Sequence, residues 1–291
     1  MPGDYVDRRL ERGKTTLALV GLGSPWASMS FVLLIMKSLA YFGLPSYLLY
    51  HVSQSSPLTR YYLCNILYLC TLAFCSSVGF CSALPLYLLD RRYDVNFVFA
   101  HTLYAIFSRL SGLRIVVEGK EHLQERPCVL IGNHQSMVDV FLLGACVTSP
   151  IYLPHGSDHT DSVLPTGTRV MPKKSLKYMP IFGQFLQAGG AVFVDRGNSA
   201  VAVQSLQAAG EEIKKHHTSI WAFPEGAHTS RPYHDMGPFK KGAFHLAVQA
   251  GFPLVPVVFE NYWNMYHKGV FNTGTFKVRG VKGSSSVSML Y

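Results

Sequence analysis

Asn133-His134-Gln135-Ser136-Met137-Val138-Asp139 holds the residues best suited to chemistry. It follows the short apolar run Cys128–Ile131 and leads into Phe141, Leu142 and Leu143. That order predicts a strand ending in a turn that opens a helix. A neutral imidazole at such a junction can take a proton from a substrate hydroxyl. Five residues of unbroken helix would place His134 and Asp139 on different faces, because neighbours lie three or four apart. The pair therefore meets only if His134 sits before or within the first turn, with Asp139 one turn inside. Asp139 can then hold one ring nitrogen and leave the other as base, as in the His–Asp part of a serine-hydrolase triad. No Gly-x-Ser-x-Gly elbow supplies a nucleophile, so the hydroxyl belongs to the substrate. The plainer alternative is a capping His and a surface Asp.

Two further strand ends carry polar residues, and a third strand holds the last of these stretches. Gly190–Arg196 ends in the pair Asp195-Arg196, Phe223-Pro224 is followed by Glu225-Gly226, and Val255-Pro256-Val257 lies in an apolar run. Open α/β sheets gather ligands at their strand ends. The planar fork of Arg196 suits a phosphate, although a surface pair with Asp195 would occupy it equally well. Glu225 can bind a glycerol hydroxyl, and Gly226 lets backbone N–H groups approach a ligand.

These residues need a scaffold. Leu113–Val117, Cys128–Ile131, Ala191–Val194, Ile220–Phe223 and Leu254–Phe259 have the composition of buried strands. Residues 199–215 show helical spacing, with Asn198 or Ser199 as cap and Lys214 and Lys215 at the end where cations favour the dipole. Strands alternating with helices predict an α/β sandwich.

Upstream the chain is apolar. Of 291 residues 48% are hydrophobic and only 15% charged, against roughly 25% charged in average soluble domains. Residues 17–36 and 62–89 carry no charge and are long enough to span a bilayer, which takes about 20 residues. The stretch 38–52 holds Pro45 and is shorter, which suits an interfacial or re-entrant piece. Basic residues before the first span and Arg91 and Arg92 after the second place both the N-terminus and the region beyond residue 90 in the cytosol. A formal net charge of +9 favours an anionic membrane surface or phosphate-bearing substrates. The apolar content and the lack of an Arg/Lys stripe exclude nucleic acid. The six cysteines form no Cys-x-x-Cys pair and are expected to be small apolar residues without disulfides. His155, Asp158, His159 and Asp161 lie in a Gly/Pro/Ser/Thr-rich loop without a metal-site motif, so no metal is expected.

NHQSMVD after a strand, then GAVFVDR, FPEG and VPVV, in this order and at these gaps, resemble the four blocks of the 1-acylglycerol-3-phosphate acyltransferase family. Residues 238–258 (PFKKGAFHLAVQAGFPLVPVV) are particularly similar to its fungal members, and the resemblance covers roughly residues 60–279. It implies a glycerolipid acyltransferase-type α/β sheet flanked by helices, after N-terminal transmembrane helices. The expected division is a cytosolic segment 1–16, an anchor 17–90 of about two spans, an acyltransferase domain 91–279 and a Gly/Ser-rich tail 280–291. It also implies acyl-CoA as co-substrate, lysophosphatidic acid as acceptor, phosphatidic acid as product, no cofactor and no metal. The resemblance makes His134 the general base and Asp139 its orienting partner. Arg196, Glu225 and Gly226 fall to the acceptor, with Lys173 and Lys174 bordering its site. Val255 and Pro256 shape the acyl or acceptor pocket. Backbone N–H groups near the first block are expected to stabilise the oxyanion. The basic run Arg169, Lys173, Lys174 and Lys177, near Tyr178, Ile181 and Phe182, suits the bilayer interface, and the endoplasmic reticulum is the expected membrane.

Two positions depart from the family's pattern. Glu225-Gly226-Ala227-His228 stands where the family has Glu-Gly-Thr-Arg, so a permanent cation becomes a histidine; the phosphate is expected to bind more weakly, or better at lower pH, unless Arg231 takes the place by a loop rearrangement. The chain ends in GVKGSSSVSMLY where the family continues with a strand and a closing helix, which is expected to thin the sheet edge. The competing readings are an acyltransferase for glycerol-3-phosphate or another lysophospholipid, and a catalytically dead membrane scaffold.

Overall fold

The computed structural model describes residues 25–38, 47, 51–52, 54–124, 127–147, 167–195, 197, 199–233 and 235–283. The chain divides into two compact units, Met1–Arg60 and Tyr61–Tyr291. The boundary falls inside the expected anchor 17–90.

In the first unit, α1 (Pro25–Ser38) exposes Met29, Phe31, Leu33, Leu34 and Met36. The beginning of the expected first span, residues 17–24, and most of the stretch 38–52 lie outside the described residues. Among the described residues one helix, α2 (Pro57–Leu88), is long and apolar enough to cross a membrane. It starts earlier than the expected 62–89. Pro57 suits a first helical position, where its missing N–H costs nothing. Ser56 caps that start by accepting the Thr59 N–H at 3.0 Å.

Within the second unit, α2 has two faces. Tyr62, Ile66, Phe74, Phe80 and Leu84 are exposed, whereas Tyr68, Thr71, Cys75, Ser76 and Gly79 are buried. The buried hydroxyls of Thr71 and Ser76 donate to carbonyls four residues back, Leu67 and Leu72, so this face carries no unpaired hydroxyl. Gly79 allows close packing, since a Cβ there would lie 2.9 Å from the Phe185 ring. Helix α3 (Val95–Ser111) buries Val95, Phe99, Ala100, Leu103 and Phe107, the three-and-four spacing of a core-facing stripe. Gly112, at φ 71°, ends it in the left-handed region and returns its N–H to Ser108 at 3.0 Å.

Among the described residues eight strands follow: β1 (Arg114–Glu118), β2 (Val129–Gly132), β3 (Arg169–Val170), β4 (Ile220–Ala222), β5 (Leu254–Phe259), β6 (Tyr266–His267), β7 (Val270–Phe271) and β8 (Thr275–Gly280). Six form one sheet, ordered β1-β8-β5-β2-β4-β3, and β6 and β7 form a hairpin. β2 lies between β4 and β5, parallel to both, with Leu130 opposite Trp221 and Val255. β8 runs antiparallel to β5 and parallel to β1, so it is an inner strand of the mixed sheet, and β1 and β3 form the edges. The tail beyond residue 283 lies outside the described residues.

Side chains alternate across this sheet. Leu130, Trp221, Val255 and Val257 join the core that holds Tyr68 of α2, Phe107 of α3, and Phe141 and Leu142 of α4 (Asp139–Val147). Val129, Ile131, Ile220 and Ala222 face the other way. They pack with Ala209 and Ile213 of α6 (Ser199–Lys215) and with Ala243, Leu246 and Ala247 of α7 (Gly242–Ala250). The result is an α/β sheet flanked by helices, with α5 (Phe182–Ala188) on the α2–α3 side, where Phe185 stacks on Phe99 at 4.2 Å.

One expected strand changes character. Ala191–Val194 runs beside β3 without forming a ladder, and only Val194 makes a bridge, to Lys173. Val192 N–H donates to Val170, Val194 N–H to Pro172, and Lys174 N–H to Val194. The bond missing from this series would come from residue 172, a proline with no N–H to give.

Candidate active site

The central parallel strands β2, β4 and β5 bring three stretches together at their C-terminal ends. These are Asn133–Asp139 after β2, Phe223–His228 after β4 and Glu260–Tyr262 after β5. The ends are tied to one another. Asn133 Nδ2 donates to Phe259 O at 3.0 Å, and Phe259 N–H returns to Asn133 Oδ1 at 2.8 Å. Gln135 Nε2 donates to Phe259 O and Glu260 O at 3.1 and 3.0 Å.

His134 lies in the loop before α4, and Asp139 is that helix's first residue rather than one turn inside it. The turn over Ser136–Val138 folds the pair together, bringing His134 Nδ1 to 2.8 Å from Asp139 Oδ2. The same oxygen accepts the backbone N–H groups of Gln135 and Ser136 at 2.7 and 3.0 Å. Asp139 is fully buried, and an ionised carboxylate there is stabilised by these donors. An acceptor at Oδ2 places the proton of a neutral ring on Nδ1, leaving Nε2 as the nitrogen able to take another. Phe223 stacks flat on the imidazole with centroids 4.0 Å apart, and His228 meets it edge-on at 4.3 Å.

Glu225 is 5% exposed, and its carboxylate faces inward. Oε1 accepts the His134 backbone N–H at 2.7 Å, while Oε2 accepts the Gly237 N–H at 2.8 Å and the Thr229 hydroxyl. Thr229 N–H in turn donates to His134 O at 2.8 Å. One carboxylate thus clamps the histidine loop to the 229–237 loop. Replacing Glu225 with Gln puts an amide against at least one N–H donor, and leaving a buried donor unpaired costs about 1–3 kcal/mol. The Glu225→Gln protein is expected to melt at a lower temperature in detergent and to lose activity, both readable on one preparation.

The backbone N–H groups of residues 134, 135 and 136 all bind these two carboxylates. They are therefore not available to the oxyanion that the sequence assigned to this stretch.

His134 opens onto a cavity of about 570 Å³. Its wall is mostly apolar, with Leu72 from α2, Phe99 from α3, Val140 and Leu143 from α4, and Phe182 and Phe185 from α5. Lys173, Gly226 and His228 also line it. Gly226 has φ 70°, and a Cβ there would sit 3.1 Å from the Lys240 side chain, so both backbone and space favour glycine. Lys174 is a neighbour of the cavity rather than a wall residue, and its ammonium pairs with Asp195 at 2.9 Å. Val255 and Pro256 sit within β5 beside Leu130 and Ile131, and neither lines the cavity. Arg196, like the loop with His155, Asp158, His159 and Asp161, lies outside the described residues. Burial pushes the Cys146 thiol up to about 12.

Like Thr229 and Tyr68, Tyr262 is a site residue absent from the sequence analysis. It is 2% exposed, and its hydroxyl donates to Asp139 Oδ1 at 2.5 Å. Tyr68 of α2 donates its hydroxyl to Met137 O at 2.8 Å, so a helix of membrane-spanning length touches the histidine loop directly.

A family model described as Acyltransferase matches residues 114–260, which include the site's β2, β4 and β5 ends. The chain is 35% identical over 204 residues to the 1-acyl-sn-glycerol-3-phosphate acyltransferase of Saccharomyces cerevisiae, covering 69% of this chain and 62% of that protein. It is 35% identical over 176 residues to the human 1-acyl-sn-glycerol-3-phosphate acyltransferase beta, covering 60% and 56%. The matched part thus spans under two thirds of these relatives' own length. The crystal structure of the 1-acyl-sn-glycerophosphate (LPA) acyltransferase from Thermotoga maritima shares the fold, with a TM-score of 0.50 at 18% identity over 75% of this chain and 88% of that one. The strands β2, β4 and β5, whose ends carry the His134–Asp139 pair and its neighbours, lie within the residues the family model matches, and the chain belongs to the acyltransferase family.

Proposed function

We propose that this chain transfers an acyl group from acyl-CoA to the sn-2 hydroxyl of 1-acyl-sn-glycerol-3-phosphate, giving phosphatidic acid. The observation that carries the reading is a His–Asp pair, its carboxylate fully buried, that opens onto an apolar cavity. The relatives named for lysophosphatidate acylation support the choice of acceptor.

His134 Nε2 takes the hydroxyl proton as the oxygen attacks the thioester carbonyl. Asp139 stabilises the imidazolium that forms and keeps the ring oriented. The tetrahedral intermediate then collapses, the carbon–sulfur bond breaks, and the imidazolium returns its proton to the departing CoA thiolate. Lys173 and His228 at the cavity supply positive charge and N–H donors for the phosphate or the developing oxyanion. Arg196 and Lys174 complete the acceptor's phosphate site, with Glu225 and Gly226 shaping it through the 225–228 turn. Val255 and Pro256 act from beneath, by holding β5 against β2.

The exposed apolar face of α2 seats the protein in a bilayer of the endoplasmic reticulum, with the sheet in the cytosol. Tyr178, Met179 and Ile181 are exposed beside Lys173, Lys174 and Lys177, an apolar and basic mixture suited to the headgroup region. There the two lipid substrates reach the cavity without leaving the membrane.

Narrowing the cavity tests the assignment. Leu143→Trp fills space on the α4 wall beside His134. Each methylene kept out of an apolar site costs about 0.8 kcal/mol. Displacing two or three of them lowers kcat/KM for an 18-carbon chain by about 10- to 50-fold. A 10-carbon chain is expected to keep its rate. Donor and acceptor chain lengths varied separately show which chain occupies the cavity, and an equal loss at all lengths of both would remove the cavity from the mechanism.

A further inference from the structure

The carboxylate that holds His134 has a second oxygen, and the groups on that side form an ordered chain. Asp139 Oδ1 can only accept as a carboxylate, so the Tyr262 hydroxyl 2.5 Å away must donate to it. That spends the phenol's one proton. Ser136 Oγ lies 2.8 Å from the same phenol oxygen and must therefore donate to it. Ser136 Oγ in turn accepts the Val138 backbone N–H at 3.1 Å. Each partner is fixed by what its neighbour cannot do: the direction runs from Val138 N–H through Ser136 and Tyr262 to Asp139. Ser136 and Tyr262 are 6% and 2% exposed, so solvent does not compete for these bonds. Burial and the nearby Asp139 charge both push the Tyr262 phenol well above its usual range, which keeps it a donor. Gln135 fixes the backbone of the same tyrosine, accepting its N–H at 3.3 Å.

We propose that Ser136 and Tyr262 are positioning residues that tune the His134 base through Asp139. The proposal rests on His134 acting as the general base. Hydrogen bonds arranged head to tail polarise one another, so the chain draws negative charge towards Oδ1 and away from the imidazole-facing Oδ2. With the chain intact Asp139 orients the ring without trapping it as imidazolium. With the chain cut, Oδ2 becomes the stronger acceptor, the imidazolium is held more tightly, and a higher pH is needed to free the base. The charged and titratable groups around His134 are Asp139 from α4, His228 edge-on, the Glu225 carboxylate at its backbone N–H, Lys173 in the wall of the same cavity and Lys240 packed against Gly226. The Tyr68 phenol from α2 lines the same cavity and is bound to Met137 O. None of these is changed by removing the Tyr262 hydroxyl.

The test compares wild type, Tyr262→Phe, Ser136→Ala and the double variant in native membranes. Transfer from acyl-CoA to lysophosphatidate is measured from pH 5 to 9. In parallel, diethyl pyrocarbonate labelling of His134 is followed against pH by peptide mass spectrometry, which separates it from His228. Tyr262→Phe is expected to lower kcat by about 10- to 100-fold, the range of one lost hydrogen bond to a charged group, with KM unchanged. Its acid limb and its labelling midpoint both move to higher pH. Ser136→Ala moves both the same way by less, and the double variant is no worse than Tyr262→Phe, because the two act through one chain. An unmoved labelling midpoint in Tyr262→Phe overturns the proposal, as do additive losses in the double variant. A variant that merely loosens the fold loses rate and melting temperature while the midpoint stays where it was, which also counts against the chain. A shifted midpoint together with wild type that transfers nothing to lysophosphatidate leaves the chain standing and sinks the functional reading instead.

Discussion

Replacing His134 with alanine is expected to reduce acyl transfer on the order of 10²- to 10⁴-fold, the contribution of a well-placed general base. The fold is expected to survive, because what His134 gives the scaffold comes from its backbone. Its N–H goes to Glu225 and its carbonyl accepts from Thr229, and both bonds remain in the variant. The ring itself meets Asp139, Phe223 and His228. Membrane yield and melting temperature close to wild type, beside lost turnover, are the paired observations that check this.

Replacing Asp139 with asparagine should come close to the same loss, on the order of 10³- to 10⁴-fold by the precedent of a triad carboxylate changed to its amide. The cause differs. With its amide oxygen at the Oδ2 position, the asparagine still accepts from His134, Gln135 and Ser136, so the turn keeps its shape. Its amide nitrogen then meets the Tyr262 hydroxyl, which must rotate to accept. The negative charge that stabilises the imidazolium is gone, and this is a transition-state effect. The loss is accordingly expected in kcat, with KM for acyl-CoA and for lysophosphatidate nearly unchanged. A loss confined to KM would mean that Asp139 shapes the substrate site instead of the base. The amide also differs from removal of Tyr262, since the amide deletes the charge and Tyr262→Phe only redistributes it.

The parts of this site that were legible in the sequence are those set by local spacing. A strand, a short polar turn and an apolar helix place His134 and Asp139 within reach of each other, and the requirement that the histidine precede the helix is met, although Asp139 opens the helix rather than lying a turn inside. Strand Leu254–Phe259 and helix Ser199–Lys215 likewise follow from hydrophobic period and end signals alone. Contacts that close over long separations were not legible. Tyr262 meets Asp139 across 123 residues, and nothing in the composition around Tyr262 distinguishes it from a core tyrosine. Glu225 looks like a ligand for a glycerol hydroxyl until its partners are seen. It is held by the backbone of His134, 91 residues away, and of Gly237. Ala191–Val194 has the composition of a strand, and its failure to build a ladder depends on Pro172 of the neighbouring segment. The inner place of β8 in the sheet could not be inferred from its own six residues either, because the order of strands is fixed by packing between distant segments.

The most direct measurement is the fate of labelled oleoyl-CoA given to membranes carrying this chain together with 1-acyl-sn-glycerol-3-phosphate, beside membranes carrying the His134→Ala protein. The predicted result is labelled phosphatidic acid, with the new acyl group at sn-2, formed by wild type and lost in the variant. Phosphatidic acid formed equally by both proteins, or no transfer by a wild-type protein shown to be present and folded, would contradict the account.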